Sequence, residues 1–252
     1  MFHFIYNNLF YRPLYNALVF LTAIIPNHDL GLAVVLLTLI VKIALIPISH
    51  KTIKTQKKLK ELEPATAKIK NDYKDQQERA QKIMDLYKEH NVNPFSGVLL
   101  MFIQLPIILA LFFVFREGIN LLSPDIYSFI LKPSVINPKL FGLIDLTGKS
   151  LVLAFLVGIT QFIQVQLSIP PAPQTKGKDG EVSFGDSLAQ SMSFQARFIL
   201  PVFIMFVSYK LNTAVAVYWI VNNLFTVGHE LYVRAQTRKI VPEVLTIGTT
   251  KN

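Results

Sequence analysis

Long, unbroken apolar blocks alternate with polar segments along the chain. The clearest block is Gly31–Ser49, GLAVVLLTLIVKIALIPIS, which holds a single full charge, Lys42. At about 1.5 Å per residue such a block crosses roughly 30 Å of hydrocarbon as a helix. The pattern predicts a first span over 30–48, a second over 95–115, a third over 150–169, and a pair over 196–233. A tight polar turn, Lys210–Thr213, divides that pair into two antiparallel helices. Residues 49–94 are polar and helix-forming, with Pro64 as the strong breaker. They predict two helices, about 51–62 and 65–90, paired as a hairpin through a thin apolar stripe that includes Leu59, Ile69, Ile83 and Leu86. Residues 1–29 are aromatic-rich but interrupted by Asn7, Asn8, Arg12 and Asn16. They read as a helix lying in the membrane interface, with a tilted extra span as the alternative. The 116–149 segment mixes apolar residues with Pro124, Pro133, Pro138 and Gly142, a composition suited to short interfacial helices. The Pro- and Gly-rich 170–195 reads as a mobile loop, and 234–252 as a tail.

Composition turns this pattern into a class. Of 252 residues, 52% are hydrophobic and 16% charged, where a soluble domain carries about a quarter charged; mean hydropathy is +0.42. The fold class is therefore all-α: a polytopic membrane protein with a five-transmembrane-helix bundle, a cytoplasmic helical hairpin and an N-terminal interfacial helix. The net charge of +9 fits cytoplasmic loops and anionic lipid, not nucleic acid, for which there is no motif. Lys51, Lys54, Lys57, Lys58 and Lys60 follow the first span, and Arg234, Arg238 and Lys239 follow the last. The positive-inside rule places both the hairpin and the C-terminus in the cytoplasm. The hairpin is either a solvated connector or a docking surface for a ribosome, a partner or lipid headgroups. Cysteine is absent, which excludes disulfides, thiolate metal sites and a lipobox anchor. The N-terminus lacks the features of a cleavable signal peptide.

The candidate chemistry lies in polar positions inside the spans. Thr38 and Lys42 share a helical face; Gln161, Gln164 and Ser168 form one stripe; Tyr218 and Asn222 form another, continued by Thr226 and His229; Gln104 lies in the second span. Amides in hydrocarbon are costly without partners. One explanation is hydrogen bonding that glues helices together. For the whole set, a polar groove is the stronger reading, because Lys42 has no evident carboxylate partner within the spans. Glu230 lies near the cytoplasmic end and can pair with a basic tail residue instead. A cation without a counter-ion is best solvated by water, so a hydrated cavity follows. Lys42 lies roughly 9 Å of helix rise from the cytoplasmic end, so the cavity opens to that side. The alternative is a lysine that snorkels to the interface.

At these residues the chain resembles the YidC/Oxa/Alb insertases. The matching pieces are GLAVVLLTLIVKIALIPIS, YKEHNVNPFSGVLLMFIQLPIILALFFVFREG and AVAVYWIVNNLFTVGHELYVR, in the family's order. The resemblance covers most of the chain and is to a minimal bacterial form, without a large extracytoplasmic domain or long basic tail. It implies a five-helix core with a hydrophilic groove open to cytoplasm and lipid, in the bacterial plasma membrane. The family's groove arginine is replaced by Lys42, which keeps the charge but not the bidentate fork. The implied partners are nascent membrane proteins and the lipid bilayer, with the ribosome and Sec translocon as further ones.

The function so predicted is membrane protein insertion, with Lys42, Thr38, Gln104, Gln161, Gln164, Ser168, Tyr218 and Asn222 lining the substrate groove. Two rivals belong to other classes. One is a small anion transporter or channel using Lys42, and the other an intramembrane enzyme. No triad or metal-like spacing appears, His28, His50, His90 and His229 are scattered, and no catalytic residue, metal or cofactor is predicted.

Overall fold

A computed structural model describes residues 6–73, 75–93, 96–168 and 190–247, except the side chains of 97–101, 103, 117 and 237–247. The loop and tail predictions for 170–189 and 248–252 lie outside the described residues.

A π-helical turn, Asn7–Tyr11, leads into α1 (Arg12–Ile24). Pro13 is tolerated in the first helical turn, where an N–H would go unused. Tyr15, Leu18 and Val19 form the buried face of α1, while Phe20 and Ile24 stay exposed. Helix α2 (Leu30–Ala44) begins at Asp29, whose side chain caps it by accepting from Leu32 N–H. Helix α1 packs on α2 and on α6 (Ser96–Glu117). The core joins these helices through Val34, Leu37, Leu111 and Val114, with Ala214, Val215, Val217 and Tyr218 contributed by α9 (Thr213–Ile247).

Helix α9 is the centre of the bundle. It packs on α7 (Leu151–Ser168) and α2, and less extensively on α6. Helix α8 (Leu200–Lys210), preceded by a π-helical turn at Gln195–Ile199, leans mainly on α7. That contact is tight: a Cβ on Gly158 would lie 3.0 Å from Met205 Cβ. The α7 helix and the helical run Gln190–Lys210 are each long and apolar enough to cross a membrane. Little of either is buried, so their Phe, Leu and Ile side chains face outward, as lipid contact requires.

Several boundaries differ from the sequence-based prediction. The first span ends at Ala44, and a 61° bend separates it from α3 (Ile46–Glu61). Pro47 is the cause: without an N–H it cannot continue the helical ladder, so α2 closes with Leu45 N–H on the carbonyls of Val41 and Lys42. Taken together the two are long and apolar enough for a broken span or a re-entrant loop. In the charged region, Pro64 sits in the first turn of α4 (Glu63–Asp72) and causes only a shallow break at Leu62. The larger break is at Tyr73, where the backbone is extended, and Asp75 then caps α5 (Gln76–Glu89). Helix α4 packs on α5, with Tyr87 near the end of α5 beside Glu63 at the start of α4. Burial, and then the Glu63 charge, raise the Tyr87 phenol above its usual range. Helix α9 runs through Arg234 to Ile247, well past the predicted span end.

The 118–150 segment forms turns and a two-residue antiparallel pair, not short helices. The pair is β1 (Lys139–Leu140) and β2 (Ile144–Asp145), with Leu140 opposite Ile144. Backbone partners fix this segment. Asp29 accepts from Phe141 N–H at 2.7 Å, Leu30 N–H donates to Asn137 at 2.9 Å, and Ala214 N–H donates to Leu146 at 3.2 Å. Phe141 sits at φ 51°, a costly conformation for a bulky residue, and the buried Asp29 carboxylate holds it there. Leu140 presses so closely on α2 that a Cβ at Gly31 would be 2.4 Å from Leu140 Cβ. One end of the bundle is thereby closed.

Candidate functional site

Helix α9 presents two polar stripes. The first is Tyr218, Asn222 and Thr226, one helical turn apart each. Lys42 Nζ donates to Thr226 Oγ1 at 3.0 Å, and Thr226 Oγ1 donates to the Asn222 carbonyl at 2.7 Å. Gln104 Nε2 on α6 donates to Asn222 Oδ1 at 3.1 Å. Lys42, Gln104, Tyr218 and Asn222 line a recess with Thr38, Val41, Leu45 and Ile107. Five of the eight predicted site residues, Thr38, Lys42, Gln104, Tyr218 and Asn222, meet there. The recess is narrow, with a cavity volume of about 10 Å³, close to the room one water needs.

Two features compensate the Lys42 charge. The ammonium turns inward to a hydroxyl on α9, and its helix ends two residues later at the bend, so Lys42 lies in the last turn of α2. The carbonyl end of a helix favours a cation. Among the described residues no carboxylate lies within ion-pair distance of Lys42.

The other three predicted residues form a separate stripe on α7. Gln161 Nε2 donates to Gln164 Oε1 at 3.1 Å, Gln164 Nε2 to Ser168 Oγ at 3.1 Å, and Ser168 Oγ to Glu230 Oε2 at 2.5 Å. Glu230 belongs to the second stripe of α9, with Asn223 seven residues before it. Both are buried, at 1% exposure for Asn223 and 3% for Glu230. Arg234 completes the group, donating to Glu230 Oε1 at 2.7 Å and to the Leu167 carbonyl. The two stripes communicate through Asn222 Nδ2 to Asn223 Oδ1 at 3.4 Å and Asn223 Nδ2 to Thr160 Oγ1 at 3.3 Å.

Sequence reasoning left Thr226 outside the groove set, although its spacing from Asn222 already placed it on the right stripe. It also omitted Asn223 and Thr160, whose pairing depends on how α7 and α9 rotate. The tail reading paired Glu230 with a basic residue, and Arg234 is that residue. His50 and His229, read as scattered, are brought together: their rings stack with centroids 5.8 Å apart, joining α3 to α9 beside Lys42.

The fold and site define a helical membrane protein with a polar, cationic interior that is closed at one end by a packed loop. The family model described as "60Kd inner membrane protein" matches residues 20–240. A "Membrane protein insertase YidC" of Clostridium tetani is 31% identical over 225 residues, covering 87% of this chain and 89% of that protein. Proteins of the same name from Pelobacter propionicus and Francisella tularensis subsp. novicida are 28% and 32% identical, over 88% and 79% of this chain. The chain spans only 38% and 31% of their respective lengths. In three dimensions it is similar to the "Active YidC insertase crystal structure with the first transmembrane domain resolved", at TM-score 0.54 and 23% identity, covering 88% of this chain and 45% of that one. That likeness concerns the fold. The chain belongs to the 60Kd inner membrane protein family, the family of the YidC insertases.

Proposed function

We propose that the protein is a membrane protein insertase whose groove runs along the two polar stripes of α9. The observation that carries this reading is the Lys42 ammonium, held in an apolar helix by a hydroxyl rather than by a carboxylate. Among the described residues no fixed counter-ion neutralises its charge, so it is available to an acidic segment of a client. The five spans are α2, α6, α7, α8 with its preceding helical run, and α9; α1 lies in the interface at the closed end. The lysine-rich α3–α5 region and the C-terminal part of α9 face the cytoplasm. The α3–α5 region offers the surface for a ribosome or translocon.

A client's short acidic tail enters from the cytoplasmic side. Lys42, Thr226, Gln104 and Asn222 replace part of its hydration, and the glutamine stripe extends the polar path. Because the recess has room for about one water, entry requires α2 and α6 to move apart from α9, with α7 staying docked. The client's apolar helix meanwhile moves along the lipid-facing surfaces of α7 and α9, where Phe155, Phe162, Ile163, Leu224 and Leu231 are exposed. Transfer of that helix into lipid drives the step. Membrane potential adds about 2.3 kcal/mol per charge per 100 mV for acidic residues moving outward. No bond is made or broken.

An anion pathway would instead have to pass the packed loop between α6 and α7 at the closed end. Proteoliposomes separate the two. Purified protein is expected to integrate a single-span substrate with an acidic outer tail and to leave chloride flux at the empty-vesicle level. Anion flux without integration would overturn the reading.

A further inference from the structure

The polar ladder of α7 has a direction, and Glu230 sets it. As the ion-pair partner of Arg234, the Glu230 carboxylate only accepts hydrogen bonds. Ser168 must therefore donate to it, which leaves the Ser168 oxygen to accept from Gln164. The Gln164 amide is then oriented with its carbonyl toward Gln161, which donates to it. Each bond in the observed chain has this sense. A carboxylate buried to 3% exposure is costly unless its lone pairs are filled. Here Ser168 fills one oxygen and Arg234 the other, so the buried charge is stable only while α7 stays docked on α9. The same Arg234 also reaches the Leu167 carbonyl, so both partners grip the end of α7.

The arrangement has a second consequence. Glu230 cancels Arg234, so of the described groups along the two stripes of α9 Lys42 carries the uncompensated charge. The two cations are not equivalent: Arg234 is paired with a carboxylate, whereas Lys42 is held by the Thr226 hydroxyl.

We propose that Glu230 is a positioning and selectivity residue for insertion. It orients the Gln161–Gln164–Ser168 ladder and masks Arg234, so that the groove discriminates client tails by one net positive charge. This rests on the insertase reading above. It differs from a purely structural role in predicting opposite effects for the two partners of one ion pair.

The test uses the full chain in proteoliposomes with two single-span substrates that differ only in an acidic or a basic outer tail. Wild-type protein sets the baseline ratio of acidic-tail to basic-tail insertion; absence of any wild-type insertion overturns the insertase reading itself. Glu230→Gln unmasks Arg234 and is expected to raise the ratio roughly fivefold. Arg234→Gln leaves the carboxylate unmasked and is expected to lower the ratio by a similar factor. Glu230→Asp retains the charge and is expected to stay near wild type. Equal loss with both substrates, or a shift in the same direction for Glu230→Gln and Arg234→Gln, overturns the proposal. Where Glu230→Gln fails to accumulate, Arg234→Gln and Arg234→Lys decide alone: a lowered ratio restored by lysine supports the proposal, and an unchanged ratio contradicts it.

Discussion

The two ends of the bundle satisfy their buried polar groups in different ways. At the closed end the partners are mostly backbone. Asn16 donates to the Asp125 carbonyl and accepts from Tyr127 N–H, Asp29 accepts from Phe141 N–H, and Thr213 donates to the Gly148 carbonyl. At the charged end the partners are mostly side chains: Lys42 with Thr226, Gln104 with Asn222, Ser168 with Glu230. Backbone groups are fixed by the fold, whereas side-chain partners can be exchanged for groups on another molecule. The difference gives one end fixed partners and the other partners that the proposed client could replace.

The largest effects should follow from damage to the closed end. Gly31→Leu places a side chain against Leu140 and is expected to cost about 3 kcal/mol or more. It should abolish the monodisperse folded peak in detergent. Asp29→Ala removes both the α2 cap and the Phe141 clasp, and should lower thermal stability by about 2 kcal/mol. A wild-type melting profile for either variant would show that the closed end is not fixed as described.

Next in size is Lys42. Lys42→Ala and Lys42→Glu are expected to reduce insertion of an acidic-tailed substrate roughly tenfold, about 1.4 kcal/mol. Lys42→Arg should preserve it, with melting close to wild type in all three. Equal rescue of a depletion strain by Lys42→Ala and wild type would return the lysine to a snorkelling role. Thr226→Val removes the ammonium's hydroxyl partner but leaves the charge, and should lower insertion about threefold, less than loss of the ammonium itself.

The smallest effect concerns Tyr87, outside the spans. Its folded phenol is raised, first by burial and then by Glu63. Folding therefore favours the neutral form, and the contribution is present below the ordinary value near 10. It fades as pH rises through the raised folded value. Hydrogen exchange of α4 and α5 should accelerate above about pH 10 in wild type, and Tyr87→Phe should blunt that rise.

The apolar blocks were legible because hydrocarbon demands long apolar stretches; they recur as helices α2, α6, α7, α8 and α9, of which α7 and the Gln190–Lys210 run are each long and apolar enough to cross a membrane. Lys42 and the first stripe of α9 were legible because helical spacing puts Tyr218, Asn222 and Thr226 on one side. Features that depend on neighbouring elements were not legible. Pro47 suits a helix terminus or a kink in sequence, and only the structure shows the 61° bend two residues earlier. Pro64 looks like the hairpin turn, but Tyr73 and Asp75 make the larger break. The prolines of 116–149 do not reveal that Asp29 and Asn16 hold that segment by its backbone. Glu230 reads as a tail-end charge until α7 supplies Ser168.

In the proposed insertion step Lys42 and Thr226 face a client's polar tail while the outer surface of α7 faces its apolar helix. A photo-crosslinker at position 226, at 164 and at 162 tests this against a stalled single-span substrate. The account predicts crosslinks from 226 and 164 to the acidic tail, and from 162 to the apolar helix. Crosslinks from 226 and 164 to lipid alone, with none to substrate, would contradict it.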